Sequence, residues 1–327
     1  MKKEISNRKI LVTGGAGFIG SNLAESLLEA GNEVVCLDNF STGKEENIRG
    51  IIGNKNFFLL EGDIRNIHDC EKAVQGVDIV MHQAALGSVP RSIADPVTTT
   101  DVNIGGFVKM LYSAKQAGVR RFIYAASSST YGDSKALPKV EDEIGLPLSP
   151  YGITKYTDEL FAANFAEIYK IEVIGLRYFN VFGRRQDPDG PYAAVIPRFI
   201  GMLKNLQSPV INGDGTISRD FTYIDNILQA NHLAALADNM EAPNQVYNIA
   251  CGEETSLNRL FEMVRQIAGK HDSRILKINP LHGPERAGDI PHSKASVEKA
   301  LRLLGYSPLK SVEEGLEEFV DWFWNNS

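Results

Sequence analysis

Long apolar runs and an excess of basic residues are both missing from this sequence. None of its apolar runs approaches the about 20 residues that a membrane-spanning helix needs. The 327 residues include 34 lysines and arginines against 41 aspartates and glutamates, a net charge of −7. We therefore expect neither nucleic acid nor a membrane as a partner. The charged start M-K-K-E-I-S-N-R predicts no signal peptide, and hence a cytoplasmic protein.

Cysteine and histidine are also scarce and scattered. Cys36, Cys70 and Cys251 are isolated, without a C-x-x-C pair, and the six histidines show no metal-ligand spacing. Neither a disulfide framework nor a metal site is expected. Cys36 and Cys251 lie among apolar or small residues, which is typical of packed thiols.

The first half of the chain alternates short β-branched runs with longer helical patterns. The predicted strands are K-I-L-V-T-G from Lys9, N-E-V-V-C-L-D, N-F-F-L-L-E-G-D, V-D-I-V-M-H-Q, R-R-F-I-Y-A-A, I-E-V-I-G-L-R-Y from Ile171 and Y-N-I-A from Tyr247. A helix is predicted from about Ser21 to Ala30. This alternation predicts an α/β fold with a doubly wound parallel (Rossmann) sheet. Strands this apolar are expected to be covered on both faces.

The segment T-G-G-A-G-F-I-G, Thr13 to Gly20, follows the first predicted strand and opens a helix. Its glycines permit a tight turn and let a pyrophosphate approach the helix N-terminus. Asp38 ends the next strand, where a carboxylate accepts hydrogen bonds from the ribose hydroxyls and repels a 2′-phosphate. The pattern predicts a dinucleotide site that prefers NAD to NADP.

Gly62-Asp63-Ile64 ends the third predicted strand. The carboxylate of Asp63 fits two roles, as a partner of the adenine amino group or as the N-cap of the following helix. The residues alone leave both roles open.

Tyr151 and Lys155 lie in S-P-Y-G-I-T-K, where the serine and proline favour a helix start. Positions i and i+4 share one helix face, with Cβ atoms about 5 to 6 Å apart. A phenol ionises near pH 10, so a base active at neutral pH needs its pKa lowered by about 3 units. A neighbouring ammonium and the positive nicotinamide of NAD⁺ act in that direction.

Nine motifs follow one another in a specific order: T-G-G-A-G-F-I-G, L-D-N-F-S-T-G, G-D-I-R, H-Q-A-A, S-S-S-T-Y-G, S-P-Y-G-I-T-K, R-Y-F-N, G-D-G-T-I-S-R-D-F and R-A-G-D. In these motifs the chain resembles, over nearly its whole length, the extended short-chain dehydrogenase/reductase superfamily and within it the nucleotide-sugar 4-epimerases. It is most similar to the bacterial UDP-N-acetylglucosamine 4-epimerase group, at H-Q-A-A-L-G-S-V-P-R-S, A-A-S-S-S-T-Y-G and N-V-F-G-R-R-Q-D-P.

The resemblance implies NAD as the cofactor and three catalytic residues. Tyr151 would be the base, Lys155 would lower its pKa and hold the nicotinamide ribose, and Ser127 would hydrogen-bond the reacting 4′-oxygen. The motifs and the resemblance together imply a cofactor site of Gly14, Gly17, Phe18, Ile19, Asp38, Asn39, Asp63, Ile64, Gln83, Lys155 and Tyr178.

The resemblance also implies a UDP-sugar as the substrate. Arg219 and Arg286 would hold the phosphates, Asp289 the uridine ribose, and Val210 and Asn212 the uracil. The full predicted substrate site is Gly87, Ser88, Ser127, Ser128, Ser129, Tyr151, Asn180, Ala194, Val195, Val210, Asn212, Arg219, Arg286, Asp289 and Ser293.

Two serines argue against elimination chemistry. Sugar-nucleotide dehydratases of this superfamily carry an Asp-Glu pair at the places of Ser128 and Ser129. Hydroxyls cannot act as acid and base near pH 7. Oxidation, rotation of a 4-keto sugar and reduction remain, and they amount to redox-neutral inversion at C4.

Three small residues bear on which sugar is used. Gly87, Ala194 and Ser293 stand where glucose-type epimerases carry larger side chains, which favours an N-acetylhexosamine. Neutral packing variation is the alternative. UDP-glucose and UDP-galactose also stay open as substrates. A uronic acid form of these sugars stays open too, because three arginines could reach its carboxylate: Arg91, Arg184 and Arg185.

We predict two domains and a homodimer, the latter from the resemblance. Residues 1–178 plus about 219–250 would form the NAD-binding domain, and about 179–218 plus 251–327 a smaller UDP-sugar-binding α/β domain. A nucleotide-sugar reductase or decarboxylase, and a non-catalytic NAD-binding sensor, are the competing functions.

Overall fold

A seven-stranded parallel sheet forms the centre of the computed structural model, which describes residues 3–189, 193–284 and 292–326. The strands of the sheet are β1 (Lys9–Thr13), β2 (Glu33–Asp38), β3 (Phe57–Glu61), β4 (Ile79–His82), β5 (Arg121–Ser127), β6 (Glu172–Tyr178) and β11 (Gln245–Ile249). Their order in the sheet is β3-β2-β1-β4-β5-β6-β11, which extends the Rossmann order by one strand. The predicted doubly wound parallel sheet is confirmed, including the late return of the chain to pair β11 with β6.

Short strands after β6 form three two-stranded ribbons. They are β7 (Val181–Phe182) with β10 (Thr222–Tyr223), β8 (Val210–Asn212) with β13 (Leu281–Gly283), and β9 (Ser218–Arg219) with β12 (Thr255–Ser256). The division into two domains at the predicted boundaries stays a prediction.

Twelve α-helices connect or cover the strands of the described residues. They are α1 (Phe18–Glu29), α2 (Glu45–Ile48), α3 (Ile67–Ala73), α4 (Val89–Ala94), α5 (Pro96–Thr100), α6 (Phe107–Gln116), α7 (Pro150–Tyr169), α8 (Val195–Lys204), α9 (Ile224–Leu236), α10 (Leu257–Ala268), α11 (Glu298–Leu304) and α12 (Val312–Asn326). A π-helical segment, Asp101–Gly106, joins α5 to α6, and 3₁₀ turns lie at Ser128–Tyr131 and Ser273–Lys277. Within these ranges no helix has both the length and the apolar character to cross a membrane.

Alternate residues of the central strands pack on opposite faces of the sheet. Leu11 of β1 lies in one apolar cluster with Phe107 and Phe122. Its neighbours Ile10 and Val12 lie in the other cluster. A strand buried on both faces needs apolar residues at consecutive positions, which explains why the period-2 pattern is absent from β1.

The second of these clusters is not confined to the sheet. It continues without interruption to Phe199 of α8, Phe261 of α10 and Phe319 of α12. One face of the nucleotide-binding sheet and the C-terminal helices therefore share a single core.

Two details differ from the predictions. Helix α1 begins at Phe18, not near Ser21, because Gly17 already occupies the N-cap and the glycine turn runs directly into the helix. The edge strand β3 is not covered on both faces: Phe58 and Leu59 are exposed. An edge strand lacks a neighbour on one side, so its apolar run alone does not ensure burial.

The thiols are packed in the interior to different degrees. Cys36 and Cys70 are buried and Cys251 is half-buried. Burial raises the pKa of each thiol to about 12, so all three are unreactive near neutral pH. In the described segments, no three His, Cys, Asp or Glu side chains are grouped as a metal ion would require.

Candidate active site

The glycine turn after β1 packs closely against Ala84 and against the start of α1. Gly14 has a φ of 65°, and a Cβ there would lie 2.8 Å from the Cα of Ala84. A Cβ on Gly20 would collide with the carbonyl oxygen of Gly14. No side chain caps α1 and no acidic residue lies in its first turn. The free N–H groups and the helix dipole fit the pyrophosphate of a dinucleotide.

Asp38 ends β2 beside this turn, as predicted, and is buried. Its carboxylate accepts hydrogen bonds from the N–H groups of Ala16 (2.9 Å) and Phe40 (2.8 Å). Each oxygen thus keeps a lone pair for a further donor, because a carboxylate accepts about four bonds. The negative charge and the free acceptor positions suit ribose hydroxyls.

Asp63 is not the N-cap of α3, so that interpretation is wrong. The cap is Asn66, whose side chain accepts the N–H of His68 at 3.0 Å. Asp63 instead binds the Arg65 guanidinium (2.7 Å) and the amide of Asn39 (2.9 Å). Arg65 lowers the pKa of Asp63 to about 2, so it is an anion at neutral pH. Its predicted contact with adenine stays a prediction.

The predicted cofactor residues Gln83 and Tyr178 lie together at the carboxyl ends of β4 and β6. The Tyr178 hydroxyl donates to Gln83 (3.3 Å) and accepts from Asn231 of α9 (2.9 Å). Burial raises the pKa of Tyr178 to about 12. This phenol therefore stays neutral, which leaves Tyr151 as the better candidate for a base.

The helix that carries Tyr151 has a well-defined start. Ser149 is its N-cap and accepts the N–H of Gly152 at 3.1 Å, and Pro150 occupies the first turn, as predicted. The Tyr151 N–H, one of the free donors of a helix N-terminus, is bound by the buried hydroxyl of Ser92 at 3.1 Å. These contacts fix the direction in which Tyr151 leaves the helix.

Lys155 lies one turn further along α7 and is buried. Its ammonium donates to the carbonyl oxygen of Ala125 in β5 (3.0 Å) and contacts Asp158 at 3.3 Å. An ammonium has three N–H donors. Two are used here, and the third remains for an acceptor such as a ribose hydroxyl.

The serine-rich end of β5 forms a tight 3₁₀ turn. Ser127 is the last residue of the strand and lies in register with Tyr178 of β6. Its oxygen accepts the Ser129 N–H at 3.1 Å, so its own proton stays available to a ligand. Ser128 and Ser129, in the turn, are half-buried.

A buried ion pair holds this turn against α7. Arg177, of R-Y-F-N, binds Glu159 of α7 through two nitrogens (2.9 and 2.7 Å) and stacks on Tyr131. The Tyr131 hydroxyl donates to Asn248 of β11 (2.7 Å). Bidentate geometry and full burial make this arrangement rigid, so the serine turn and the Tyr-Lys helix are held as one unit.

The cavity next to this edge of the sheet has a volume of about 420 Å³. The predicted substrate residues among those that line it are Gly87, Ser88, Asn180, Ala194, Val195, Val210, Asn212 and Arg219. These residues come from five separate stretches of sequence, so their meeting in one cavity is a property of the fold.

Gly87 and Ala194 make one part of this cavity wide. A Cβ placed on Gly87 would find no atom within 4 Å, so the space beside it is open. Ala194 is the N-cap of α8 and presents only a methyl group. The third small residue, Ser293, is half-buried in a segment that pairs with Lys139 and does not line the cavity.

The remaining predicted substrate residues fall into two groups. Ser127, Ser128, Ser129 and Tyr151 lie at the end of β5, in the turn after it and at the start of α7, outside the cavity lining. Arg286 and Asp289 lie outside the described residues, so their predicted contacts with phosphate and ribose stay predictions.

Two of the arginines considered for a uronic acid are already paired. Arg184 binds Asp225 (2.9 Å) and Arg185 binds Glu25 (2.8 Å). Neither belongs to the cavity lining. A substrate carboxylate at these guanidiniums would have to displace a protein carboxylate.

Three residues near the site were missed at the level of sequence. Asn103, in the π-helical segment, accepts the N–H of Leu86 (2.8 Å) and donates to Thr154 of α7 (3.0 Å). Gln186 and Arg198 line the cavity, and the buried Oε1 of Gln186 has no partner among the described residues. Asn103 could not be found because D-V-N-I-G-G gives no sequence signal for a π-helix. Gln186 could have been considered, because it lies in the motif G-R-R-Q-D-P.

Residues 10–250 match the family model of the NAD dependent epimerase/dehydratase family. A putative UDP-glucose 4-epimerase of Methanocaldococcus jannaschii is 37% identical over 97% of this chain and 99% of that protein.

Two solved structures are also similar. A UDP-N-acetylglucosamine 4-epimerase from Methanobrevibacter ruminantium M1, in complex with UDP-N-acetylmuramic acid, is 39% identical, with a TM-score of 0.92 over 99% of this chain and 100% of that one. A UDP-glucuronic acid 4-epimerase from Bacillus cereus, with NAD, is 33% identical, with a TM-score of 0.88 over 98% and 100%. With its glycine turn, its Ser-Tyr-Lys set and these matches over nearly its full length, this chain belongs to the NAD dependent epimerase/dehydratase family and uses NAD.

Proposed function

We propose that this enzyme inverts C4 of a UDP-N-acetylhexosamine, interconverting UDP-GlcNAc and UDP-GalNAc without net oxidation. The observation that carries the proposal is the open space beside Gly87, in a cavity that also contains the predicted nucleotide-binding residues. The full-length likeness to 4-epimerases of UDP-sugars supports the reaction type.

In the proposed mechanism, Tyr151 as phenolate accepts the proton of the sugar 4′-hydroxyl and returns it at the end. Ser127 donates its free hydroxyl proton to the same oxygen, and Lys155 stabilises the phenolate and holds the nicotinamide ribose with its remaining N–H. NAD, held by residues such as Gly14, Asp38 and Lys155, would accept the C4 hydride and would return it to the other face of the rotated 4-keto sugar. Arg219 holds the diphosphate while the sugar turns.

The residues at the end of β5 favour epimerisation over dehydration. The same fold serves a dTDP-glucose 4,6-dehydratase from Streptomyces venezuelae, with a TM-score of 0.88 at 28% identity, so the fold alone does not choose the reaction. Ser128 and Ser129 carry no carboxylate for acid-base elimination. Rotation of the sugar is therefore the step that follows oxidation.

The choice of sugar rests on the shape and charge of the cavity. Gly87 and Ala194 leave room for a 2-acetamido group or another bulky substituent. Because Arg184 and Arg185 are paired with carboxylates of the protein, a uronic acid is the weaker alternative. UDP-glucose remains the alternative that the name of the archaeal relative supports.

We further propose that the two parts of the chain divide the binding between them, and that two chains associate. Residues 1–178 and about 219–250 carry the NAD site together with the reacting Ser127 and Tyr151, and about 179–218 and 251–327 carry most of the residues assigned to the nucleotide of the UDP-sugar. Exposed apolar side chains on the mutually packed helices α4, α5 and α7 support a homodimer: Ile93, Val97, Ile153, Leu160 and Phe161.

The decisive experiment incubates the enzyme separately with UDP-GlcNAc and UDP-Glc, without added reductant, and follows the products by NMR. Faster conversion of UDP-GlcNAc to UDP-GalNAc is expected. Preference for UDP-Glc would contradict the substrate but not the mechanism. Net release or consumption of NADH would indicate one of the competing oxidoreductase reactions.

The role of Tyr151 is tested separately with Tyr151→Phe, which keeps the ring and removes the hydroxyl. Turnover should fall by at least about a thousandfold, while binding of NAD and UDP-sugar persists. A nearly active variant would show that Tyr151 is not the base.

A further inference from the structure

Behind Lys155 lies a buried carboxylate for which the proposed mechanism has no role. The Asp158 side chain is 1% exposed and that of Lys155 3%, and their charged atoms lie 3.3 Å apart. Both are on α7, on the side of the helix that faces the sheet. We propose that Asp158 is a positioning residue that holds the Lys155 ammonium and whose charge limits how strongly that ammonium favours the Tyr151 phenolate. This inference rests on the proposed function.

Asp158 depends on Lys155 for its hydrogen bonding. Its Oδ2 contacts the ammonium, whereas its buried Oδ1 has no hydrogen-bond partner in the described part of the chain. A carboxylate of this kind is stabilised as an anion mainly by the one cation it touches. Burial raises the pKa of Asp158 to about 7 even though Lys155 opposes the shift.

The other charged or titratable groups around this pair do not take over that role. Glu159 on α7 is occupied by the Arg177 guanidinium of β6. Tyr124 of β5 is buried and its pKa is raised far above the usual value, so it stays neutral. His82 of β4 is neutral as well, because burial and Lys155 lower its pKa to about 3. Of these groups in the described part of the chain, Asp158 is the one whose charge changes near neutral pH.

Lys155 lies on α7 between Asp158 and Tyr151. Two turns, or about 10 Å along the axis, separate Asp158 from Tyr151. Charges at that distance in a buried setting are only weakly screened by salt. An anionic Asp158 therefore offsets part of the positive field that the Lys155 ammonium exerts at the Tyr151 side chain, and a neutral one does not.

The charge of Asp158 should also affect how steeply kcat/KM rises with pH. As Asp158 ionises, Tyr151 binds its proton more tightly, so the two groups titrate over a wider pH range than one group alone. The rise of kcat/KM with pH should be shallow in the wild-type enzyme. It should steepen to a single-group slope when the carboxylate is removed.

The test compares Asp158→Asn with Glu167→Gln, which removes the same charge from an exposed position on the same helix. The pH dependence of kcat/KM is measured with the UDP-sugar that the wild-type enzyme epimerises. In Asp158→Asn the acid limb should move by about one unit to lower pH. It should stay in place in Glu167→Gln.

A second readout needs no turnover. The phenolate absorbance of the NAD-loaded enzyme is titrated with pH, and the titration of Tyr151→Phe is subtracted to isolate Tyr151. Its pKa should fall in Asp158→Asn by the same amount as the kinetic limb. An unchanged pKa in both readouts would overturn the proposal.

Asp158→Ala separates the two parts of the role. Asparagine keeps an oxygen for the ammonium, so kcat should be retained, whereas alanine removes the contact and should lower kcat while KM changes little. Equal loss of activity at every pH in both variants would indicate a purely structural residue and contradict the proposal. A Tyr151→Phe enzyme that remained active would instead contradict the proposed function.

Discussion

A single residue can determine how large a sugar this cavity accepts, and Gly87 is placed to do so. Leucine at this position meets no atom within 4 Å at its Cβ and requires no positive φ. The fold should therefore tolerate the change, and the side chain should occupy space that we assign to the acetamido group.

We predict that Gly87→Leu lowers kcat/KM for UDP-GlcNAc at least about tenfold more than for UDP-Glc, since the leucine side chain would clash only with the larger sugar. The measurement is the ratio of the two specificity constants. Gly50→Leu is the control, because Gly50 also has open space around its Cβ and does not line the cavity. A parallel loss with both sugars would refute the assignment.

Residues that belong to a sequence motif could be predicted one by one from the sequence. Residues whose role depends on a partner in space could not. Gly14, Asp38 and Lys155 follow from spacing and from the chemistry of their side chains. Asn103 and Asp158 act through partners distant in space or one turn away on a helix, and many buried polar residues share their local pattern. Identifying them required the fold.

Among the elements, α7 shows how a helix start can serve catalysis. The Ser92 hydroxyl accepts the Tyr151 N–H and donates to the carbonyl oxygen of Val89 at 2.7 Å. Val89 lines the same cavity as Gly87. One buried hydroxyl thus connects the cavity wall to the backbone of the proposed base.

We predict that Ser92→Ala lowers kcat about tenfold with little change in KM, because the Tyr151 N–H loses its acceptor and Tyr151 loses alignment. Steady-state kinetics on the folded variant measure this. Ser113→Ala is the matched control: Ser113 is also buried on a helix, but its hydroxyl has no partner among the described residues. Similar kinetics for both variants would argue against alignment by Ser92.

The type of each element was easier to predict than its limits. Apolar runs, most of them with β-branched residues, gave all seven sheet strands, and S-P gave the start of α7. The start of α1 was missed because glycine is a poor marker of a helix, although here it serves as the N-cap. The exposure of β3 was missed because β3 is an edge strand, and its position in the strand order cannot be predicted from its own residues.

At the scale of the whole molecule, the apolar face of α4, α5 and α7 defines the proposed dimer. Leu160 is 54% exposed on this face, and Met240 is 96% exposed elsewhere. We predict that Leu160→Glu shifts the mass measured by light scattering from dimer towards monomer, because a charge would be buried in the interface. Met240→Glu should leave the mass unchanged. A wild-type protein of monomeric mass would exclude the dimer.

The continuous core described above restricts how such an enzyme can change its substrate. Because Phe199, Phe261 and Phe319 pack in the same cluster as the interior of the sheet, the C-terminal part cannot be exchanged as a ready-made module without exposing that cluster to water. New sugar specificity must then arise by point substitutions in the loops and helix ends around the cavity. A lineage built on this architecture should diversify by small steps in its cavity lining while its interior stays nearly constant.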